Sequence, residues 1–280
     1  MKKLGQIGFY VAVSWLLAVL FFGLLGPIFW PLTQHLPDST PLLGAPGSEH
    51  WLGTDEEGRD VLRLLFIGAQ TALFVGVATV LICGVIGTIV GISAGYLGGW
   101  FDRGVLTLME AVYAFPGILL AIFLMFLMPN PGAGHIIIAL SISGWATYAR
   151  LARSVALQVK GQTYIEAAQC IGLKQRSIMM RYVLPHTIPH IAIQASFGFA
   201  NAILAEATLS FLGLGIPDGT SWGAMLSSGA VLHLKAPHLA IAPGLVLAMT
   251  ILVILMLSDR LQEKMNPLLQ RGLGGDIAKE

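Results

Sequence analysis

The stretch "YIEAAQCIGLKQRSIMMRYVLP", residues 164–185, is a polar interruption in a hydrophobic chain. It carries one glutamate, one lysine and two arginines within 22 residues, and it ends in a proline. Residues 166–168 are good helix formers, and Gly172 is expected to break their helix. Residues 174–184 can resume a helix, which Leu184-Pro185 is expected to stop. The stretch therefore predicts two short helices joined by a glycine turn, which together form a rigid projection.

The amino-acid composition indicates a membrane protein. Of the 280 residues, 55% are hydrophobic and 11% are charged, and the mean hydropathy is +0.76. Soluble globular domains carry about 25% charged residues, so the deficit points to a membrane. The net charge of +1 argues against a nucleic-acid partner, because no overall positive field would attract one. The two cysteines, Cys83 and Cys170, predict neither a disulfide nor a metal site.

Six apolar stretches are candidate membrane spans: 7–30, 69–96, 104–128, 136–149, 188–211 and 238–258. A helix needs roughly 20 apolar residues to cross the bilayer core, so the fourth is short and could extend through Arg150 as an interfacial helix end. The first is too long for the apolar region of a signal peptide, and we interpret it as an uncleaved span. The sequence therefore predicts an all-α polytopic membrane protein with six transmembrane helices.

The basic residues predict the orientation of these spans. Thirteen of the 16 lysines and arginines fall on the side that holds both termini and residues 150–181. The other side holds Arg59, Arg63 and Lys235. Basic residues are enriched in cytoplasmic loops, so we expect both termini and the 164–185 projection to be cytoplasmic.

Sequence motifs of common catalytic sites are absent. The chain contains no GxxxxGK[ST] phosphate-binding loop, no HExxH, no GxSxG and no paired-cysteine site. We therefore expect a chain that is not an enzyme and that uses no cofactor and no metal. If such a chain transports a solute, a partner has to supply the energy. The polar projection would then be the surface that a partner ATPase binds.

Two acidic residues, Glu110 and Glu206, fall within predicted spans. Acidic residues inside a membrane are energetically costly and are often functional. Two interpretations stay open: a proton relay, which would make the chain a secondary transporter, or a hydrogen-bonded role in packing or in a cavity.

Two predicted spans carry patterns at helical spacing. In the fifth span Gln194, Asn201 and Thr208 are seven residues apart and share one face, which would line a water-filled path or meet a partner helix. The second span carries small residues that would let another helix approach closely, Gly87, Gly91 and Gly95.

The polar stretch resembles the EAA loop of ABC importer permeases. That pattern has EAA, three residues, a glycine, nine residues and then I-x-L-P. The matching residues here are Glu166, Ala167, Ala168, Gly172, Leu184 and Pro185. Tyr182 stands where the pattern has isoleucine, which leaves the spacing intact.

Other segments are similar to one branch of that family, the second or C-type permease of dipeptide, oligopeptide and nickel importers. They are "HWLGTDEEGRDVL" (50–62), "GYLGGWFDR" (95–103), "AFPG" (114–117), "AEATLSFLGLG" (205–215) and "SWGAML" (221–226). The resemblance covers about residues 50–270. It departs in a short N-terminal tail, in "RDVLRLLFIGAQ" where RDVLSRLLYGAR is expected, and in a 215–221 loop that is one residue short.

The resemblance implies a type I importer transmembrane fold. Residues 1–68 would then form a first helix and an extracytoplasmic loop, 69–258 the transmembrane core with the EAA loop at about 151–189, and 259–280 a cytoplasmic tail. It also implies that Glu166, Ala167, Ala168, Gly172, Leu184 and Pro185 form the contact with the ATPase.

The resemblance further implies a set of partners in a bacterial inner membrane. These are a second permease that completes a heterodimer, two cytoplasmic ATPases that hydrolyse ATP, and an extracytoplasmic solute-binding protein. Peptide is the expected solute, and nickel or another small solute is the alternative. The alternative mechanism is proton-coupled secondary transport. The charged segment "GTDEEGRD", residues 53–60, would be a solvated loop with local ion pairs or a docking surface for the binding protein.

Overall fold

The computed structural model describes residues 2–29, 42–128, 132–216 and 220–265. Regular structure in these ranges is helical, apart from an isolated β-bridge between Thr54 and Asp60. The helices are α1 (Lys2–Phe29), α2 (Val61–Leu97), α3 (Gly99–Tyr113), α4 (Gly117–Phe126), α5 (Ala133–Lys160), α6 (Thr163–Cys170), α7 (Gln175–Ile178), α8 (Leu184–Phe211), α9 (Trp222–Val231) and α10 (His238–Met265). A π-helical turn, Met179–Val183, joins α7 to α8. The predicted all-α polytopic fold is confirmed.

Four segments of the described chain are long and apolar enough to cross a membrane. They are Gly8–Gly26, Val61–Leu97, Gln175–Phe211 and His238–Met265. Helices α3 and α4 are long and apolar enough only when taken together, which gives up to five spans in the described residues. Helix α5 has 28 residues but includes Arg150, Arg153 and Lys160, so it is more polar than these. The count of six spans stays a prediction.

The third predicted span, 104–128, is bent rather than one straight helix, and its crossing of the membrane stays a prediction. Helices α3 and α4 meet at an angle of 79° around a short break. The break, residues 114–116, includes Pro116, whose ψ of 124° is not helical. A proline lacks the N–H that would continue the helix, and it disfavours helical geometry at the residue before it. The pair is therefore a broken span or a re-entrant loop.

The helix that begins at Gln175 was expected to stop at Leu184-Pro185, and that prediction is wrong. It continues through Pro185 to Phe211 by way of the π turn, in which the Leu184 N–H donates to the Met179 carbonyl. A π turn widens the helix and relieves the contact between the proline ring and the preceding turn. Helix α5 likewise extends to Lys160. The ends of α5 and α8 therefore lie within the predicted 151–189 loop.

Helix α2 begins at Val61, ahead of the predicted residue 69, because Asp60 caps it. The Asp60 carboxylate accepts the backbone N–H groups of Leu62 at 2.8 Å and of Arg63 at 3.4 Å. Such a cap satisfies donors that have no partner inside the helix. The other Asp60 carboxylate oxygen lies 2.9 Å from His50 Nδ1, which fixes the loop in front of the helix.

The charged loop before α2 was interpreted either as a solvated loop with local ion pairs or as a docking surface. The structure contains the local ion pairs. The Arg59 guanidinium donates to Asp55 at 2.7 Å and to Glu57 at 2.9 Å. Asp55 also accepts the backbone N–H groups of Glu57 and Arg59, which closes a tight turn. The other interpretation, a docking surface for a binding protein, stays a prediction.

Helix α2 lies at the centre of the bundle, where it packs against α1, α5 and α8. Its glycine ridge faces the backbone of α5. A Cβ atom on Gly87 would lie 2.6 Å from Tyr148 Cβ, and one on Gly95 would lie 2.7 Å from the Arg153 carbonyl oxygen. The predicted close approach of another helix is confirmed, and α5 is that helix.

Candidate functional site

Helix α6 carries the predicted coupling residues and is docked by one face. Ile165 is fully buried and Ala168 is 4% exposed, whereas Glu166 and Ala167 between them are exposed. This alternation follows from the helical period, because residues three apart share a face. Glu166 lies in the first turn, where its negative charge is favourable to the helix dipole. The helix therefore presents the Glu166 carboxylate outward from a fixed position.

Gly172 ends α6 with a left-handed backbone. Its φ is +81°, its N–H donates to the Gln169 carbonyl at 2.9 Å, and the Leu173 N–H donates to the Ala168 carbonyl at 3.1 Å. These two bonds form the Schellman arrangement that terminates helices at glycine. A Cβ at this position would meet no atom within 4 Å, so the requirement for glycine is conformational. The predicted glycine turn is confirmed, while the coupling role of Gly172 stays a prediction.

A buried apolar cluster beneath α6 connects it to the transmembrane helices. The cluster joins side chains of α2, α5, α6, α7 and the π turn: Ile92, Tyr96, Ala152, Val155, Ala156, Val159, Ile165, Ala168, Ile178 and Val183. Leu184 packs against this cluster, whereas Pro185 is exposed. Of the predicted set, Ala168 and Leu184 thus support the projection, and Glu166, Ala167 and Pro185 form part of its surface.

Tyr96, at the end of α2, is a connecting residue that the sequence did not reveal. Its side chain is 2% exposed. The Lys160 ammonium donates to the Tyr96 carbonyl at 2.7 Å, and the Gln169 amide donates to the Tyr96 hydroxyl at 3.2 Å. Helices α5 and α6 are therefore both bonded to the last turn of α2. The only sequence signal was its place in the "GYLGGWFDR" segment.

A second connection joins α3 to α5 beside this site. The Arg153 guanidinium donates to both oxygens of Asp102, at 2.6 and 2.7 Å. The two side chains are 22% and 16% exposed, so the pair is partly shielded from solvent. A bidentate pair of this kind fixes orientation as well as distance.

Aromatic side chains link α6 to the start of α8. The Tyr164 ring lies 6.2 Å from the Tyr182 ring and 6.4 Å from the His186 ring, centroid to centroid. Tyr182, which departs from the family pattern, therefore packs against α6 itself. Helix α6 is attached to α2 on one side and to α8 on the other.

The predicted path residues separate into two groups. Gln194 and Asn201 line a cavity of about 230 Å³ between α2, α5 and α8. Thr208 is not part of its wall, and its hydroxyl donates to the Leu204 carbonyl of the same helix at 2.8 Å. The structure thus brings two of the three residues to one cavity.

The two intramembrane acids occupy different environments. Glu206 is 1% exposed, and its carboxylate accepts the Ser210 hydroxyl at 2.7 Å. Glu110 is exposed on α3. The bond to Ser210 favours the hydrogen-bonded interpretation of Glu206 over a proton relay.

Comparisons with known proteins agree with this architecture. Residues 87–271 match the family model described as "Binding-protein-dependent transport system inner membrane component". The chain is 37% identical over 226 residues to the glutathione transport system permease protein GsiD of Pectobacterium atrosepticum, covering 80% of this chain and 75% of that protein. It is 38% identical over 231 residues to GsiD of Escherichia coli O157:H7, covering 82% of this chain and 76% of that protein.

A solved structure resembles the fold. It is an inward-facing conformation of the MetNI methionine ABC transporter, with a TM-score of 0.60 and 18% sequence identity. The match covers 72% of this chain and 96% of the solved chain. At this level of identity the likeness concerns the fold alone.

Proposed function

We propose the function of this chain from one premise: it belongs to the family of binding-protein-dependent transport system inner membrane components. It is accordingly a multi-pass permease subunit of the inner membrane, and the import that it serves depends on a binding protein. Within that frame, the chain pairs with a second permease, binds two cytoplasmic ATPases that hydrolyse ATP, and receives solute from an extracytoplasmic binding protein. Both of its termini are cytoplasmic.

The observation that carries the coupling proposal is the docking of α6. One face of this helix is buried on α2 and α5, and the other presents Glu166 and Ala167. The carboxylate is positioned to meet a basic residue of an ATPase, and the small alanine permits a close approach. Gly172, Leu184 and Pro185 complete the contact by holding the turn and the start of α8 in place.

We infer that the contacts of α6 carry the motion of an ATPase to the transmembrane helices. Displacement of α6 pulls on α2 through the Gln169–Tyr96 bond, and on α8 through the Tyr164–His186 contact. Those two helices supply part of the wall of the cavity that Gln194 and Asn201 line. We infer that these two residues line the translocation path, with Thr208 further along the same helix.

The solute that best fits is a short peptide. The relatives named above are permeases of glutathione transport systems, and glutathione is itself a tripeptide. We propose import of glutathione or of peptides of similar length. Nickel or another small solute is the alternative that the sequence analysis left open.

The orientation leads to a test with reporter fusions. A reporter after Glu49 is expected to lie outside the cytoplasm, and one after Lys160 inside it, because α2, the α3–α4 pair and α5 would cross the membrane between them. Dual reporters that are active only on opposite sides measure this directly. A re-entrant α3–α4 pair would leave two crossings and place both reporters on the same side, which would contradict the six-span topology.

The energy source gives the test of function. Uptake of glutathione or trialanine into proteoliposomes that hold the complete complex is expected to require ATP inside and loaded binding protein outside. It should persist when an uncoupler collapses the proton gradient. Uptake by this chain alone, driven by a pH step, would instead establish the proton-coupled alternative.

A further inference from the structure

The cavity between α2, α5 and α8 has a wall that ordinary helix packing does not explain. Six of its lining side chains are polar and none is charged. They come from all three helices and include Thr79 of α2, Ser143 and Tyr148 of α5, and Gln194 and Asn201 of α8. Polar groups gathered inside a membrane bundle indicate a place where a polar molecule passes or binds.

Two hydroxyl groups at this wall lack a hydrogen-bond partner among the described residues. Thr79 and Tyr148 are 6% and 3% exposed, and their hydroxyl oxygens are buried and unpaired. Buried polar groups in folded proteins nearly always have a partner, so two unpaired hydroxyls at one cavity call for a ligand or for ordered water. The amides of Gln194 and Asn201 add donors and acceptors to the same wall.

The size and chemistry of the cavity suggest what it takes. Its volume of about 230 Å³ is smaller than the roughly 300–1,000 Å³ of typical ligand pockets, so it holds part of a solute. Its uncharged donors and acceptors match neutral amides better than an ion. Gln194 and Asn201 are about 10 Å apart along α8 at 1.5 Å per residue, which is about three residues of an extended peptide at 3.3 Å each.

We propose that this cavity is a subsite within this subunit that transiently hydrogen-bonds the backbone amides of a peptide solute. Gln194 and Asn201 make the contacts on α8, and Thr79 and Tyr148 complete the wall from α2 and α5. The inference rests on the proposed function as a peptide importer and adds the residues that recognise the solute inside the membrane.

Transport by the reconstituted complete complex tests the subsite. The double variant Gln194→Met, Asn201→Leu keeps the size of both side chains and removes both amides. We expect at least a tenfold lower uptake of S-methylglutathione and trialanine at saturating loaded binding protein, with stimulation of ATP hydrolysis by the binding protein retained. Tyr148→Phe removes one hydroxyl, and we expect a loss of about threefold.

Ser196→Ala is the matched control on α8. Its hydroxyl donates to the Ala192 carbonyl of the same helix at 3.0 Å and is not part of the cavity wall. We expect uptake within twofold of the unsubstituted complex. Normal uptake by the double variant would overturn the subsite, whereas failure of the unsubstituted complex to import either peptide would refute the proposed peptide transport instead.

A chemical measurement keeps the test decisive if the double variant assembles poorly. With Cys83 and Cys170 replaced by alanine, Asn201→Cys provides the single cysteine of this subunit, and its modification by a small hydrophilic thiol reagent is measured on the isolated band of this subunit. We expect trialanine or S-methylglutathione to slow its modification at least threefold, and to leave the rate at Ser196→Cys unchanged. Equal rates at Asn201→Cys with and without peptide would show that no peptide occupies the cavity.

Discussion

Glu166→Ala is expected to separate ATP hydrolysis from transport while insertion of the chain into the membrane stays normal. Helix α6 docks through Ile165 and Ala168, and the exposed Glu166 side chain contributes nothing to that docking. In the assembled importer the carboxylate would be buried against a basic residue of the ATPase. Removing one partner of such a pair costs about 2–5 kcal/mol, because the other charge is left buried and unpaired. That range corresponds to a roughly 30-fold or greater loss of ATPase attachment.

Gly172→Val is expected to cause similar damage by a different physical route. A β-branched residue is strained at a φ of +81°, so the turn that positions α6 would change although no atom obstructs the new side chain. Gly172→Asn should retain part of the function, because asparagine tolerates this conformation. Gly161→Ala is the matched glycine control, since Gly161 caps α5 with a φ of −80° that alanine adopts freely.

Co-purification of the ATPases with each variant, together with transport-coupled ATP hydrolysis, measures both effects. Lys174→Ala is the charge control, because Lys174 is exposed and a single solvated charge contributes at most about 1 kcal/mol. Full assembly and coupling in both Glu166→Ala and Gly172→Val would mean that α6 is not the coupling element.

The features that could be predicted from sequence are those set by neighbouring residues. The helix over residues 166–168 and the turn at Gly172 follow from local propensity and from the freedom of glycine, and both are present. The same local rules failed at Pro185, because a π turn that no propensity scale registers carries the helix through the proline. Pro116 does break its helix, but a hydropathy pattern alone did not register it.

The connections that hold the site together could not be predicted, because they join residues far apart in the chain. The Gln169–Tyr96 bond spans 73 positions and the Arg153–Asp102 pair spans 51. A sequence supplies the donor and acceptor types, whereas the packing of α2 against α5 decides which of them meet. The Gln169–Tyr96 bond attaches α6 to α2, and without it the family resemblance would leave the coupling route undefined.

Helix geometry explains why Gln194 and Asn201 line one cavity while Thr208 does not. A spacing of seven residues falls about 20° short of two full helical turns, so the direction of the side chain drifts with each repeat. Gln194 and Asn201 still reach one cavity, while Thr208 lies about 40° from the first of them and bonds its own helix. Thr208 also lies about 21 Å from Gln194 along α8, at 1.5 Å per residue, which is beyond the reach of so small a cavity. The shared face of all three residues therefore stays a prediction.

The close backbone contact between α2 and α5 leads to a large expected effect on stability. A Cβ atom on Gly91 would overlap the carbonyl oxygen of Ala149 and lie 2.9 Å from its carbonyl carbon, so the obstacle is the backbone of α5. Gly84 lies seven residues earlier on α2, and there the nearest atoms to a new Cβ are ring carbons of Tyr148 at 3.9 Å.

Gly91→Ala should therefore destabilise the protein, and Gly84→Ala should not. In a helix interior alanine is favoured over glycine by about 1 kcal/mol, so both substitutions gain the same local term. At Gly91 this gain is outweighed by overpacking, which costs about 1–3 kcal/mol or more because the α5 backbone cannot move without displacing the whole helix. Thermal unfolding of the purified complex should show Gly84→Ala at or above the unsubstituted midpoint and Gly91→Ala several degrees below it. A Gly91→Ala midpoint equal to that of Gly84→Ala would mean that α2 and α5 are further apart than this packing requires.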